Sequence, residues 1–256
     1  MSLTGKDFSI LDKFGFDVPP VAVKFLADMP AKIERLAEHM ALCEMLKRAQ
    51  EGNVFFADQK NHICEAGSYV LGHADAMEPF LSGKFGAGLK IFEEPRSASR
   101  LYHYIPKIGK GVVNYLGFSP ISKLPFDPDV LIILASTAQT EILLRASSYR
   151  TGKMWVSRYS AAIGCAWIFV YPYLSGELNY AMTGLGHGMR RRNLFPEGRQ
   201  IVSIPFDLLP SILRNLQDMP WVLPAFKADG NEFVGRLLVE LGISPPEKKE
   251  TAKTAA

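Results

Sequence analysis

The run DPDVLIILAST, residues 127–137, constrains the fold more than any other stretch of the chain. A turn, Asp127-Pro128-Asp129, opens directly into an unbroken apolar run from Val130 to Ala135. A strand with one wet face alternates apolar and polar residues, and this one does not. The pattern predicts a strand buried on both faces, inside a sheet that is covered on either side. The two aspartates read as turn formers. Thr137 is placed to cap the helix that follows, TAQTEILLRASSYRTG, although Glu141 lies one position beyond the reach of a capping box.

The rest of the chain supplies partners for such a strand. DFSILDKFGF (7–16) reads as a short helix with Ile10, Leu11 and Phe14 on one face. PPVAVKFL (19–26) reads as a strand, as do NVFFAD (53–58), GVVNYLGF (111–118), ELNYAMTG (177–184) and RQIVSIPF (199–206). Residues 32–50 carry Ile33, Leu36, Met40, Cys43 and Leu46 at helical spacing and are expected to form one helix that Gly52 ends. Shorter helices are expected over 65–73 and within SASRLYHYIPKIG, and longer ones over DLLPSILRNLQ and NEFVGRLLVELG. SGKFGAGLKIFEEP reads as a connector, and SAAIGCAWIFVYPYLSG as a helix running into a strand. Strands and helices interleave without strict βαβ order. The expectation is therefore a single α+β domain over 1–243 with a mixed sheet, and a polar, disordered tail over 244–256.

Composition excludes several classes. Hydrophobic residues at 48% against 21% charged describe a globular chain, not a disordered one. A net charge of +3 is too small to argue for nucleic acid, and MRRRN (189–193) is the only dense basic run. No apolar stretch reaches spanning length, and the first residues lack a signal-peptide pattern. Three cysteines make no disulfide framework, and the odd count leans toward a reducing compartment. A cytoplasmic location follows as an expectation. KFGAGLKIF lacks the full dinucleotide fingerprint, and no P-loop, HExxH or GxSxG pattern occurs. The sequence thus assigns no reaction.

The cysteines carry the sharpest question. Cys43, Cys64 and Cys165 stand 21 and 101 residues apart, without any CxxC pair. Spacing alone favours three unrelated core thiols. Against that, Cys64 in NHICEAG falls at an expected helix start, and Gly164 beside Cys165 permits close backbone approach. Three thiolates meeting at one point would suit a four-iron four-sulfur cluster or a metal with one open position. His62 and Glu65 would be the local candidates for a fourth ligand.

Several segments together carry a family resemblance: PPVAVKF, CEMLKRAQEG, ICEAGSYVLG, PFDPDVLIIL, AQTEILLRASSYRTG, GCAWIFV and IPFDLLPSIL. Over roughly residues 19–216 the chain resembles the prokaryotic family known as domain-of-unknown-function family 169. The resemblance implies that the segments around Cys43, Cys64 and Cys165 are linked landmarks, with a Gly-x-Arg-like segment near Gly188 and Arg190. It implies no particular reaction.

TGLGHGMRRR adds an anion-binding candidate. Its glycines can expose backbone N–H groups, while His187, Arg190 and Arg191 can clamp a carboxylate or phosphate. The leading expectation is a cytoplasmic iron–sulfur or metal-binding protein that acts on or senses a small anionic ligand. The alternative is a non-enzymatic small-ligand binding protein, or a homo-oligomeric structural protein, whose cysteines are core residues.

Overall fold

A computed structural model describes residues 7–243. The expected disordered tail, 244–256, lies outside the described residues. Strands β1 (Val21–Leu26), β2 (Phe55–Asp58), β3 (Tyr115–Pro120), β4 (Val130–Ala135), β5 (Asn179–Met182) and β6 (Gln200–Pro205) form a six-stranded sheet in the order β2-β3-β1-β4-β6-β5. Every ladder is antiparallel, and parallel pairing occurs at two isolated bridges, Arg35–Phe56 and Met40–His62. The class is α+β, as the interleaved pattern predicts.

β4 sits between β1 and β6, and all its residues are buried, as its unbroken apolar run requires. Alternate side chains separate onto the two faces. Val130, Ile132 and Leu134 join the main core, together with Val21, Val23, Phe118 and the buried face of helix α1 (Leu42–Gln50). Asp129 precedes β4 and does more than turn the chain. One carboxylate oxygen accepts from Lys24 Nζ and the other from the Phe25 backbone N–H, both at 2.7 Å.

The helix expected over 32–50 is much shorter than its apolar stripe. It begins only at Leu42, because residues 34–40 are already bonded to another partner. Leu36 N–H donates to the Phe56 carbonyl at 2.7 Å and Met40 N–H to that of Asn61 at 2.8 Å. The buried Asn61 amide donates in turn to the carbonyls of Leu36 and Glu38. Backbone groups spent on β2 and its following turn are lost to an i→i−4 ladder. Glu44 then closes the helix start by accepting from Ala41 N–H at 2.6 Å.

Short helices α2 (Glu65–Val70), α3 (Glu78–Leu81), α4 (Lys84–Gly88) and α5 (Pro95–Tyr104) follow β2, so the glycine-rich connector holds a helix of its own. After β4, Ser136 rather than Thr137 caps α6 (Thr137–Ser148). Its hydroxyl accepts from Gln139 N–H at 3.2 Å, and Gln139 Oε1 accepts from Ser136 N–H at 2.7 Å, a complete capping box. The expected helix-to-strand run over 160–176 contains no strand. A π-helical turn, Ala166–Val170, passes directly into α7 (Tyr171–Ser175). After β5 comes α8 (His187–Arg191). After β6, α9 (Leu209–Asp218) is tied to α6 by Asn215, whose amide donates to the Ala146 carbonyl at 2.8 Å.

The chain divides into two compact units, one ending at Gln217 and one beginning at Asp218. The second holds a 3₁₀ turn, Pro224–Phe226, and α10 (Gly230–Glu240). Glycine is required at the head of α10, since a Cβ on Gly230 would fall 2.1 Å from the Ala225 carbonyl oxygen. Among the described residues, no helix is long and apolar enough to cross a membrane.

Candidate functional site

A cavity of about 300 Å³ opens where α1, α2, α4 and α5 meet the start of the π-helical turn and α8. Its walls are mostly apolar. Phe80, Phe85 and Tyr102 form one wall, with Phe80 edge-on to Phe85 at 4.9 Å and tilted against Tyr102 at 5.9 Å. A further part of the wall comes from α1 and α2. These lie close together, because a Cβ on Gly67 would touch Leu42 at 3.4 Å. The lining residues separate by exposure. Ile63, Glu65, Phe85, Leu89 and Arg191 are exposed and mark the open end. Leu42, Cys43, Gly164, Cys165, Gly186 and Met189 are buried and mark the closed end.

All three cysteines line this one cavity as free thiols. Cys43 belongs to α1, Cys64 is the residue before α2, and Cys165 precedes the π-helical turn. The resemblance-based link between the three segments therefore corresponds to a shared wall. The iron–sulfur expectation does not survive. Among the described residues, no group of three or more His, Cys, Asp or Glu side chains is arranged to hold a metal ion. Neither the four-iron four-sulfur cofactor nor a metal-binding role for Cys43, Cys64 and Cys165 is supported.

The apolar setting keeps the buried thiols protonated, because burial disfavours the thiolate. Burial pushes the Cys43 thiol up to about 12. Arg192 opposes this, and Cys64 and Glu44 add to it. Cys165 is also raised well above its ordinary value, by burial first and then by the two neighbouring thiols. The expected fourth ligands do not join the thiols. His62 is not in the cavity wall. Its ring packs against His73, and among the described residues neither of its nitrogens has a hydrogen-bond partner. Glu65 lines the cavity only at its exposed end.

The glycine–arginine segment divides in the same way. His187 and Arg191 line the cavity, and Arg190 does not. Arg190 pairs instead with Glu197 at 2.9 Å on the surface. Arg192, which the sequence pattern did not single out, takes a place in the wall. Its guanidinium donates to the Gly188 carbonyl at 3.2 Å and lies 3.5 Å from Glu44. Arg191 and Arg192 thus share the wall, while Arg190 is held at the surface. Arg191 makes no ion pair with a described residue, so its charge is available at the open end.

Tyr159 is a second residue that the sequence pattern did not single out. Its hydroxyl is out of solvent reach and has no hydrogen-bond partner among the described residues. It rests against two glycines of the closed end: a Cβ on Gly164 or on Gly186 would fall 2.5 Å from Tyr159 Oη. Both flanking residues are pinned. Arg158 N–H donates to Asn179 Oδ1 at 2.9 Å, and the Asn179 amide donates back to the Arg158 carbonyl at 2.9 Å. Trp167 Nε1 donates to Ser160 Oγ at 2.9 Å. The Gly-Cys pair at 164–165 was the available signal that something bulky lies close by. That bulky neighbour is the Tyr159 hydroxyl.

In comparison with known proteins, residues 9–215 match the family model DUF169, described as "Uncharacterised ArCR". No curated protein and no solved structure matches the chain.

Proposed function

The chain belongs to the DUF169 family, and from that premise we propose that it binds a small ligand with an apolar body and an anionic end. The carrying observation is Arg191, without an ion-pair partner among the described residues, at the open end of a mostly apolar cavity whose other charged lining residues are Glu65 and Arg192. Small-molecule sites combine mostly apolar walls with a few placed polar groups, and about 300 Å³ lies at the small end of their range. A carboxylate suits the planar fork of a guanidinium, and His187 and Arg192 lie on the same wall to share the charge. The thiols then serve as small, polarisable wall residues.

The reading is tested by titrating the full chain calorimetrically with straight-chain carboxylates of six, eight and ten carbons. At least one is expected to bind, and Arg191→Gln is expected to weaken it about tenfold, the loss of one charge-assisted contact. Binding should also protect Cys64, the one cysteine of the three that is not buried, from alkylation by iodoacetamide. No binding by any of the three acids overturns the proposal, as does binding that Arg191→Gln leaves unchanged.

A second role, self-association, is favoured by one observation. Met154, Trp155 and Val156 are exposed in a segment joined to edge strand β5 by the bond from Ser157 Oγ to the Tyr180 carbonyl, and Met182 of β5 is itself exposed. Sedimentation velocity tests it, and a monomer at high micromolar concentration removes it.

A further inference from the structure

We infer that Cys64 and Cys43 form a redox-active dithiol in the cavity wall, which passes two electrons to a small organic disulfide and closes into a disulfide of its own. This goes beyond ligand binding and does not depend on the carboxylate reading. Two cysteines can be joined only where their backbones already lie close. Here the two segments are bonded to each other just ahead of each cysteine. Met40 N–H donates to the Asn61 carbonyl at 2.8 Å, and Ile63 N–H donates to the Met40 carbonyl at 3.2 Å. The Met40–His62 bridge therefore stands shortly before Cys43 on one segment and Cys64 on the other. Beyond it the segments stay in contact. A Cβ on Gly67 would lie 3.4 Å from Leu42 Cβ and 3.9 Å from Cys64 Cβ, so a single methyl would touch both. Both thiols line the cavity. Cys165 lines it too, but it comes from a distant segment and shares no such bonded frame with Cys64.

The pair differs in access. Cys64 is half-buried and Cys43 is buried, so an incoming disulfide meets Cys64 first. In the first step Cys64 gives up its proton and its sulfur attacks one sulfur of the small disulfide. The Cys64–sulfur bond forms, the small disulfide's own bond breaks, and the leaving thiolate takes a proton to depart as a thiol. In the second step Cys43 gives up its proton and attacks Cys64 Sγ. The Cys43–Cys64 bond forms, and the second half of the small molecule leaves as a thiol. The pair is oxidised and the small disulfide is reduced to two thiols. Burial holds the Cys43 thiol up, which makes the second step the slower one, and Arg192 on the same wall opposes that effect. The finished bond fastens the start of α2 to the first turn of α1.

The test incubates the full native chain with hydroxyethyl disulfide, a neutral probe that makes no demand on Arg191, and follows intact mass and free thiols. The three free thiols should fall to one, with a net mass loss of two hydrogens and no lasting adduct, and peptide mapping should find the Cys43–Cys64 link. Cys43→Ser should stop the reaction at a mixed disulfide on Cys64, and Cys165→Ala should leave it unchanged. Three thiols that persist, a mixed disulfide that persists in the parent chain, or a link that includes Cys165 would each overturn the inference. The parent chain alone decides these outcomes, so they hold even if a variant fails to fold.

Discussion

The rings of His62 and His73 meet edge to face, their centroids 5.2 Å apart and their planes at 77°. The two residues bracket the wall segment that carries Cys64, and the His73 carbonyl is held by Gln59 Nε2 at 2.7 Å. Neither His62 nitrogen has a partner, while His73 Nε2 lies 3.0 Å from the Val113 carbonyl oxygen. Burial holds His62 down to about 4, with His73 adding to the depression and Asp58 opposing it. The folded-state value lies below the ordinary 6.5, so the unfolded chain takes up the proton first. Stability is complete above about pH 6.5 and falls as pH drops toward 4, by on the order of 2–3 kcal/mol for this one ring. Urea unfolding between about pH 7 and 4.5 should show that fall, and His62→Leu should flatten it. An unchanged slope in the variant would place the acid sensitivity elsewhere.

Asp129 bridges to β1 through a side chain, beside the ladder between β1 and β4. Its two bonds differ in worth. The Lys24 ammonium and the Asp129 carboxylate are each about a quarter exposed, so solvent screens much of their attraction. The Phe25 N–H has no such relief. Asp129→Ala should therefore cost about 1.5–2 kcal/mol, most of it from the unsatisfied backbone donor, whereas Lys24→Met should cost less than about 1 kcal/mol. Equal losses on denaturant unfolding would contradict this division. The stability of Asp129→Ala should also be nearly insensitive to salt relative to the parent.

Much of this fold is written locally. The unbroken apolar run of β4, the stripe of α9 and the turns around them are decided by neighbours in sequence, and they form where periodicity places them. The α1 boundary is not local. Ile33, Leu36 and Met40 keep helical spacing, yet the backbone around them is claimed by Phe56 and Asn61, some twenty residues downstream. The same distinction governs the cavity. Cys43, Cys64 and Cys165 could be named from the sequence, and they do share a wall. Whether they could share a metal depended on donor arrangement, which spacing cannot report. Arg191 was legible as a charge next to glycines. Arg192 was not, because its role depends on which way a five-residue helix is rotated. Tyr159 was hidden among many tyrosines, and only the two glycines against its hydroxyl distinguish it.

The box at the start of α6 joins Ser136 and Gln139 reciprocally, and Gln139 Nε2 also reaches the Phe14 carbonyl at 2.9 Å. Ser136→Ala leaves the Gln139 N–H without its cap and should cost about 1 kcal/mol. Gln139→Ala loses both the return bond and the tie to Phe14, so it should cost more than Ser136→Ala. Thr137→Ala, which removes no capping bond, should cost less than either. Thermal unfolding of the three variants orders them, and a Thr137→Ala loss as large as that of Ser136→Ala would show that the cap had been assigned to the wrong residue.

Gly164 and Gly186 both press on Tyr159, but not on the same atoms, and the difference can be measured. A Cβ on either would stand 2.5 Å from the hydroxyl, closer than any contact a packed interior tolerates. Behind the hydroxyl, the ring carbon Cζ would be 3.2 Å from a Cβ on Gly164 and 3.7 Å from one on Gly186. Gly164→Ala and Gly186→Ala should each destabilise by about 1–3 kcal/mol. Tyr159→Phe removes the closest atom. The Gly186→Ala pair then retains an ordinary contact, while the Gly164→Ala pair keeps a tight one. In double-mutant cycles, Tyr159→Phe should rescue most of the Gly186→Ala loss and only part of the Gly164→Ala loss. Additive losses in both cycles would mean that the hydroxyl does not pack against the two glycines.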